Sequence, residues 1–329
     1  MRPAQTPDLF GSPQWRQLEA IATILDRTPL ETFEDARARH LLLHADVLLT
    51  GWGCPEISAE VMAMAPRLGL VAHTGSTVKP IVSDAIWARG VRVSSAAAAN
   101  AIPVAEFALA AILFVNKGVF RERETYRASR RPAGSDPFTA PGKAGNCGSV
   151  VGIVGASRTG RALIQRLRPF DLDVRVHDPV ADPAELRTLG ATPVADLVEL
   201  AGSVDVLSIH APALPQTRHM IGARAIAALR DGATLINTAR GSVVDQLALE
   251  RELASGRISA VLDVTQPEPL PSDSILFDLP NVFLTPHVAG AAGRETQRMA
   301  DLAIAEIARF ANGVPLQHAV TRAMIATIA

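Results

Sequence analysis

Cysteine is nearly absent: Cys54 and Cys147 are the only two in 329 residues, too few for a disulfide framework or a four-ligand zinc site, and this favours a reducing compartment. Lysine is confined to Lys79, Lys117 and Lys143, so arginine carries almost all the basic charge. Neither sign of charge dominates, and a net charge of -1 leaves no field to gather a polyanion or an anionic membrane. Long hydrophobic runs are missing too. The longest, Ala108 to Val115, is far too short to span a bilayer, and the stretch Met1 to Asp8 lacks the apolar segment of a signal peptide. His40, His44, His177, His219 and His318 show no metal-ligand spacing, so no metal is expected. A cytoplasmic protein with no nucleic-acid and no membrane partner is the expectation.

What is present is an ordinary globular composition, 48% hydrophobic and 20% charged, in a chain long enough for two domains. From about residue 41 to 95, strand-sized apolar runs alternate with helical stretches: Leu41 to Leu43 through Val47 to Leu49, then Leu68 to Ala72, then Val91 to Val93. The alanine-rich stretch Ala101 to Leu113 reads as a helix apolar on nearly all faces, with Pro103 in its first turn. Ala128 to Cys147 reads as an irregular connector. Alternation then restarts, with strand candidates Val150–Val154, Val174–His177, Val204–Ile209, Thr234–Ile236, Ala260–Leu262 and Val282–Leu284. Six parallel strands with right-handed crossovers make a doubly wound sheet. An amphipathic helix, Thr296 to Ala311, closes the pattern.

The first of those strands runs into Gly155-Ala156-Ser157-Arg158-Thr159-Gly160. This is nearly the dinucleotide fingerprint, with Gly155 for the tight turn and Gly160 for the close helix–strand contact. Ser157 stands where the fingerprint has its middle glycine, so a Cβ must be accommodated there, while the hydroxyl could donate to a phosphate. Asp178, at the end of the next strand candidate, can accept from both adenosine ribose hydroxyls and would repel a 2′-phosphate. NAD is therefore expected in preference to NADP.

Three further segments each follow a strand candidate: Asn237-Thr238-Ala239-Arg240-Gly241, Asp263-Val264-Thr265-Gln266-Pro267-Glu268 and Thr285-Pro286-His287-Val288-Ala289-Gly290. Carboxyl ends of parallel strands converge on one crevice, so Arg240, Glu268 and His287 can meet although dispersed in sequence. A cationic fork, an acid/base and a carboxylate that tunes the imidazole are what oxidation of a hydroxy acid needs.

At these residues the chain resembles the D-isomer-specific 2-hydroxyacid dehydrogenases, which include glycerate, lactate and phosphoglycerate dehydrogenases. The resemblance implies two Rossmann-like α/β domains: a doubly wound NAD domain at 103–298, and a smaller flavodoxin-like substrate domain built from 1–102 and 299–329. It implies hydride transfer between NAD(H) and a small D-2-hydroxy or 2-keto acid. Arg240 would bind the substrate carboxylate and carbonyl, His287 would be the acid/base, and Glu268 would hold the imidazole in its charged form. His210-Ala211-Pro212 and Thr238-Ala239 would line the nicotinamide and its ribose as backbone segments, Asp263 would hold the carboxamide, and Gly290 would also contact the cofactor. On the substrate side, the loop His73-Thr74-Gly75-Ser76 would grip the carboxylate through main-chain amides, with Trp52 as a wall and Lys79 or His73 as possible phosphate contacts. No arginine cluster favours a phosphorylated substrate. No regulatory domain is expected, and a homodimer is. Two alternatives stand beside this reading: an NAD-sensing protein like the corepressors of the same fold, and a formate or phosphite dehydrogenase.

Overall fold

The computed structural model describes residues 2–130 and 145–328. The chain divides into two compact units, Met1–Ala101 with Ala291–Ala329, and Ile102–Gly290. The second crossing precedes the helix Glu295–Ala311 instead of falling within it at 299, because that whole helix packs on the sheet of the first unit.

The strands in chain order are β1 (Val47–Thr50), β2 (Leu70–His73), β3 (Arg92–Ser95), β4 (Val150–Val154), β5 (Asp173–His177), β6 (Thr192–Pro193), β7 (Val206–Ile209), β8 (Thr234–Asn237), β9 (Ser259–Leu262), β10 (Val282–Leu284) and β11 (Ala319–Val320). In the first unit the order is β1-β2-β3-β11, parallel except for β11, which runs antiparallel to β3. The apolar run Leu41 to Leu43 is not a strand. It lies in the helix Ala36–His44, which buries Leu42 and leaves Leu43 half exposed. Asp35 starts that helix by accepting from Ala38 N at 2.6 Å. Along the free edge of β1 lies a cavity of about 780 Å³, walled by Trp15, Leu30, Phe33, Leu42 and Phe310. None of the residues expected to carry chemistry lines it.

Among the described residues the second unit holds seven strands, not six, in the order β10-β9-β8-β7-β4-β5-β6, all parallel. The addition is β6, a two-residue edge strand too short to register as an apolar run. Successive side chains alternate between two cores: Val206, Ile236 and Val261 join one, while Leu207, Leu235 and Leu262 join the other. Burial on both faces explains the continuous apolar runs.

The alanine-rich helix spans Ala97–Asn116, so Pro103 sits inside it and not in the first turn. Its length and mean hydropathy of 1.9 would suffice to cross a membrane, against the expectation from the run Ala108 to Val115. Instead, Ala105, Ala108, Ala111 and Ile112 pack in a core of the second unit. The connector expected over Ala128 to Cys147 begins later, because the helix Val119–Ser129 takes up Ala128; its part at 131–144 lies outside the described residues.

Candidate active site

The strand order reverses between β4 and β7, and the loops leaving their carboxyl ends meet there. Gly155 has φ +93°, and a Cβ on it would stand 2.6 Å from Ala211 N. A Cβ on Gly160 would stand 2.1 Å from the Gly155 carbonyl oxygen. Both contacts admit only hydrogen, so the turn, the helix start and the His210–Ala211 main chain close on one another. Ser157 is the N-cap of the helix Arg158–Leu167, in unstrained extended geometry, with its Oγ accepting from Gly160 N at 3.3 Å. The replaced middle glycine therefore costs no backbone strain.

The N–H groups of Gly155 and Ala156 are taken by the His177 carbonyl and by Asp178 Oδ2, and those of Gly160 and Arg161 by Ser157. Among the described residues, those of Ser157, Arg158 and Thr159 have no hydrogen-bond partner. Three successive free donors at the positive end of a helix suit a pyrophosphate. Asp178 accepts from Ala156 N at 2.6 Å, Val180 N at 2.8 Å and Ala181 N at 3.0 Å, which fixes its carboxylate at the end of β5 and leaves about one of its roughly four acceptor positions open.

His210 directly follows β7. Its ring is buried, with Nε2 2.8 Å from Ser208 Oγ, and burial pushes its pKa down to about 4. It is a neutral interior histidine whose main chain, with that of Ala211, borders Gly155, and Pro212 follows half-buried. Thr238 is buried after β8, and its Oγ1 has no partner, an orphaned polar atom of the kind a bound ligand satisfies. Ala239 and Gly290 are half-buried beside the same strand ends.

Arg240, Glu268 and His287 leave the carboxyl ends of the adjacent strands β8, β9 and β10. His287 Nδ1 lies 2.5 Å from Glu268 Oε1. A carboxylate only accepts, so Nδ1–H donates and Nε2 is left free. Both side chains stay accessible, at 47% and 39% exposure. His287 has φ +56°, a left-handed conformation that costs a residue with a Cβ about 1 kcal/mol or more. Asp263 holds it there: buried, it accepts from Thr285 Oγ1 at 2.6 Å, Val288 N at 2.8 Å and Ala289 N at 3.0 Å, while its carbonyl accepts from His287 N. The carboxylate expected to hold a carboxamide is thus already engaged by the histidine loop.

Two side chains unassigned from the sequence order the rest. Asn237 Oδ1 accepts from Ala239 N and its Nδ2 donates to the Arg240 carbonyl, both at 3.0 Å. Gln246 Oε1 accepts from Gln266 N at 2.7 Å. The signal that could have found Asn237 is a polar amide ending the buried strand Thr234–Asn237. Arg240 spends one guanidinium N–H on Ala239 O at 2.6 Å and keeps the others.

In the first unit, His73 and Thr74 are buried and turned inward. Thr50 Oγ1 lies 2.9 Å from His73 Nδ1, and burial pushes that imidazole down to about 4. Thr74 donates to the Thr50 carbonyl through both N–H and Oγ1, so neither it nor His73 presents a side chain to an anion. Buried Gly75 covers His73 Nε2, and half-buried Ser76 continues the loop. Trp52 packs partly against the Leu70 and Ala72 cluster. Burial pushes the Cys54 thiol up to about 11, which removes it as a nucleophile near neutrality.

Residues 109–289 match the family model described as D-isomer specific 2-hydroxyacid dehydrogenase, NAD binding domain. A D-3-phosphoglycerate dehydrogenase of Mycobacterium tuberculosis is 35% identical over 274 residues, 81% of this chain and 49% of that protein. The chain spans about half the length of the first such curated relatives it matches. An (S)-sulfolactate dehydrogenase of Chromohalobacter salexigens is 32% identical, covering 88% of this chain and 94% of its own. Among solved structures, a phosphoglycerate oxidoreductase from Rhizobium etli superposes with a TM-score of 0.79 at 26% identity, over 95% of this chain and 94% of that one.

Proposed function

The chain belongs to the D-isomer specific 2-hydroxyacid dehydrogenase family, and on that premise we propose that it interconverts a small D-2-hydroxy acid and its 2-keto acid with NAD(H). The observation that carries this reading is the His287–Glu268 contact of 2.5 Å on strand ends adjacent to the one that bears Arg240. When bound, the nicotinamide supplies the hydride acceptor or donor. The donors at Ser157, Arg158 and Thr159 would take its pyrophosphate, Asp178 a ribose hydroxyl, and the orphaned Thr238 Oγ1 a polar group near the nicotinamide.

The chain's own residues do the rest. The fork of Arg240 binds the substrate carboxylate and polarises its carbonyl. His287 Nε2 gives a proton to the oxygen that becomes negative as a keto acid is reduced, and takes it back in oxidation. Glu268 accepts from Nδ1–H and so fixes the tautomer and the orientation of the ring. Arg240, Glu268 and His287 are therefore the catalytic residues of the proposal. Asp178 is also the basis for preferring NAD: a fixed carboxylate at the ribose end repels a 2′-phosphate, and Pro179-Val180-Ala181 offers no cation to hold one.

By this reading Ile102–Gly290 is the cofactor unit. Free Cys54 and Cys147 accord with a cytoplasmic location, and the homodimer of the sequence reading is retained as a proposal. The test is optical: NADH and NADPH oxidation against glyoxylate, hydroxypyruvate, pyruvate, phenylpyruvate and branched 2-keto acids, with NADH binding measured in parallel. Turnover of any one of them with NADH supports the reading. Silence across the panel from protein that binds NADH would reject it in favour of a sensor.

A further inference from the structure

The segment that carries Glu268, Thr265-Gln266-Pro267-Glu268-Pro269-Leu270-Pro271, rests Leu270 against the core of the second unit but is poor in main-chain hydrogen bonds. Its prolines have no N–H, so Thr265, Gln266, Glu268 and Leu270 are its only main-chain donors. Of these, Gln266 N–H is the one with a hydrogen-bond partner among the described residues: Gln246 Oε1, at 2.7 Å. The bond from Thr265 Oγ1 to Pro267 O at 2.8 Å is internal to the segment and anchors it to nothing. Among the described residues the Glu268 carboxylate bonds only to His287, so apart from that bond the path of the main chain decides where it stands.

Gln246 is well placed to set that path. It opens the helix Gln246–Ala254, which is capped by Asp245 accepting from Ala248 N at 3.1 Å and rooted in the core by Leu249 and Leu253. Its Nε2 donates to Glu250 Oε1 at 2.9 Å. A carboxylate can only accept, so the amide nitrogen must face Glu250 and the oxygen must face Gln266. The other side of the segment rests on Gly241, where a Cβ would stand 2.0 Å from the Thr265 carbonyl oxygen. The loops of Arg240 and Glu268 therefore touch main chain to main chain, and Gln246 clamps them.

We propose that Gln246 is the positioning residue for Glu268: through Gln266 N–H it sets where the carboxylate meets His287. This rests on the reading of Glu268 and His287 given above. It predicts that loss of the tether lowers the chemical step while cofactor binding is untouched, since a displacement of about 1 Å can cost up to about a hundredfold.

The experiment pairs Gln246→Leu with the swap Gln246→Glu/Glu250→Gln, in which residue 246 still accepts from Gln266 N and residue 250 becomes the donor. Each is made in the wild-type and Glu268→Gln backgrounds. Glyoxylate reduction by NADH is measured together with hydrogen exchange over residues 264–271 of the whole protein. Gln246→Leu should lower kcat about ten- to a hundredfold with KM for NADH unchanged, and should speed exchange in the segment. The swap should restore both readouts. In the Glu268→Gln background Gln246→Leu should cost nothing further, the mark of two residues acting as one. Wild-type exchange and turnover in Gln246→Leu would overturn the proposal, as would losses that multiply in the double variant. Wild-type turnover in Glu268→Gln alone would instead strike the acid/base assignment, and the exchange data would then judge the tether by themselves.

Discussion

Thr285 donates its hydroxyl to Asp263 at 2.6 Å, and this bond, with those from Val288 N and Ala289 N, ties the turn bearing His287 to the end of β9. All three donors need an acceptor. Asp263→Asn keeps the shape but turns one acceptor into a donor that faces a donor. A buried unpaired group costs about 1 to 3 kcal/mol, and the left-handed His287 is the part of the turn least able to hold itself. We expect turnover to fall at least about tenfold and the melting temperature to drop by several degrees, read by steady-state assay and thermal unfolding. Native turnover would show that the turn does not depend on this carboxylate.

His287→Ala should lose about a hundredfold or more of keto-acid reduction while the fluorescence titration with NADH is unchanged. Glu268→Gln should lose less, since it keeps the imidazole and an oxygen that can accept from Nδ1–H, and removes only the negative charge. Equal turnover in His287→Ala and wild type would remove His287 as the acid/base.

Gly160→Ala sets a methyl 2.1 Å from the Gly155 carbonyl, so the turn must open. NADH affinity and stability should fall together. Ser157→Gly should be nearly silent in stability, because glycine caps a helix only a few tenths of a kcal/mol worse than serine. A tolerated Gly160→Ala would refute the close packing of helix on strand.

Asp178→Ala removes the charge that would repel a 2′-phosphate. The ratio of kcat/KM for NADH to that for NADPH should shrink, mainly through weaker NADH binding. An unchanged ratio would place ribose recognition elsewhere.

His73 and His210 are folded as neutral imidazoles with values near 4, against 6.5 as the ordinary reference. The unfolded chain binds more protons between those values, so stability is complete above about pH 6.5 and declines as the pH falls towards 4. The slope is about 1.4 kcal/mol per pH unit for each histidine. Urea titrations at intervals from pH 7.5 to 4.5 should show it, and His210→Gln should reduce the slope by one proton. An identical slope in that variant would mean that His210 is already charged.

Where the sequence was enough, the reason is that the chemistry is local. Val150 to Val154 followed by Gly155 and Gly160 dictates a strand, a turn and a helix whatever surrounds them, because only glycine fits those two contacts. The segments after β8, β9 and β10 are legible because the ends of neighbouring parallel strands must lie about 5 Å apart. Leu41 to Leu43 misled because an apolar triplet has no period, and helix and strand bury it equally well. Pro103 misled because an alanine-rich lead-in carries no start signal, so the proline alone seemed to mark the first turn.

Residue type and order by themselves determined the α/β fold, the cofactor turn and the identity of the candidate triad. Tertiary structure alone decided which polar side chains face inward. His73 and His210 have the chemistry of ligand contacts, yet burial among Thr50, Ser208 and neighbouring main chain makes them neutral supports. Gln246 looks like a spare amide until the fold brings the Gln266 main chain to it. A hydrogen bond needs two groups within about 3 Å, and when the partner comes from another loop its arrival is settled by packing of the whole unit.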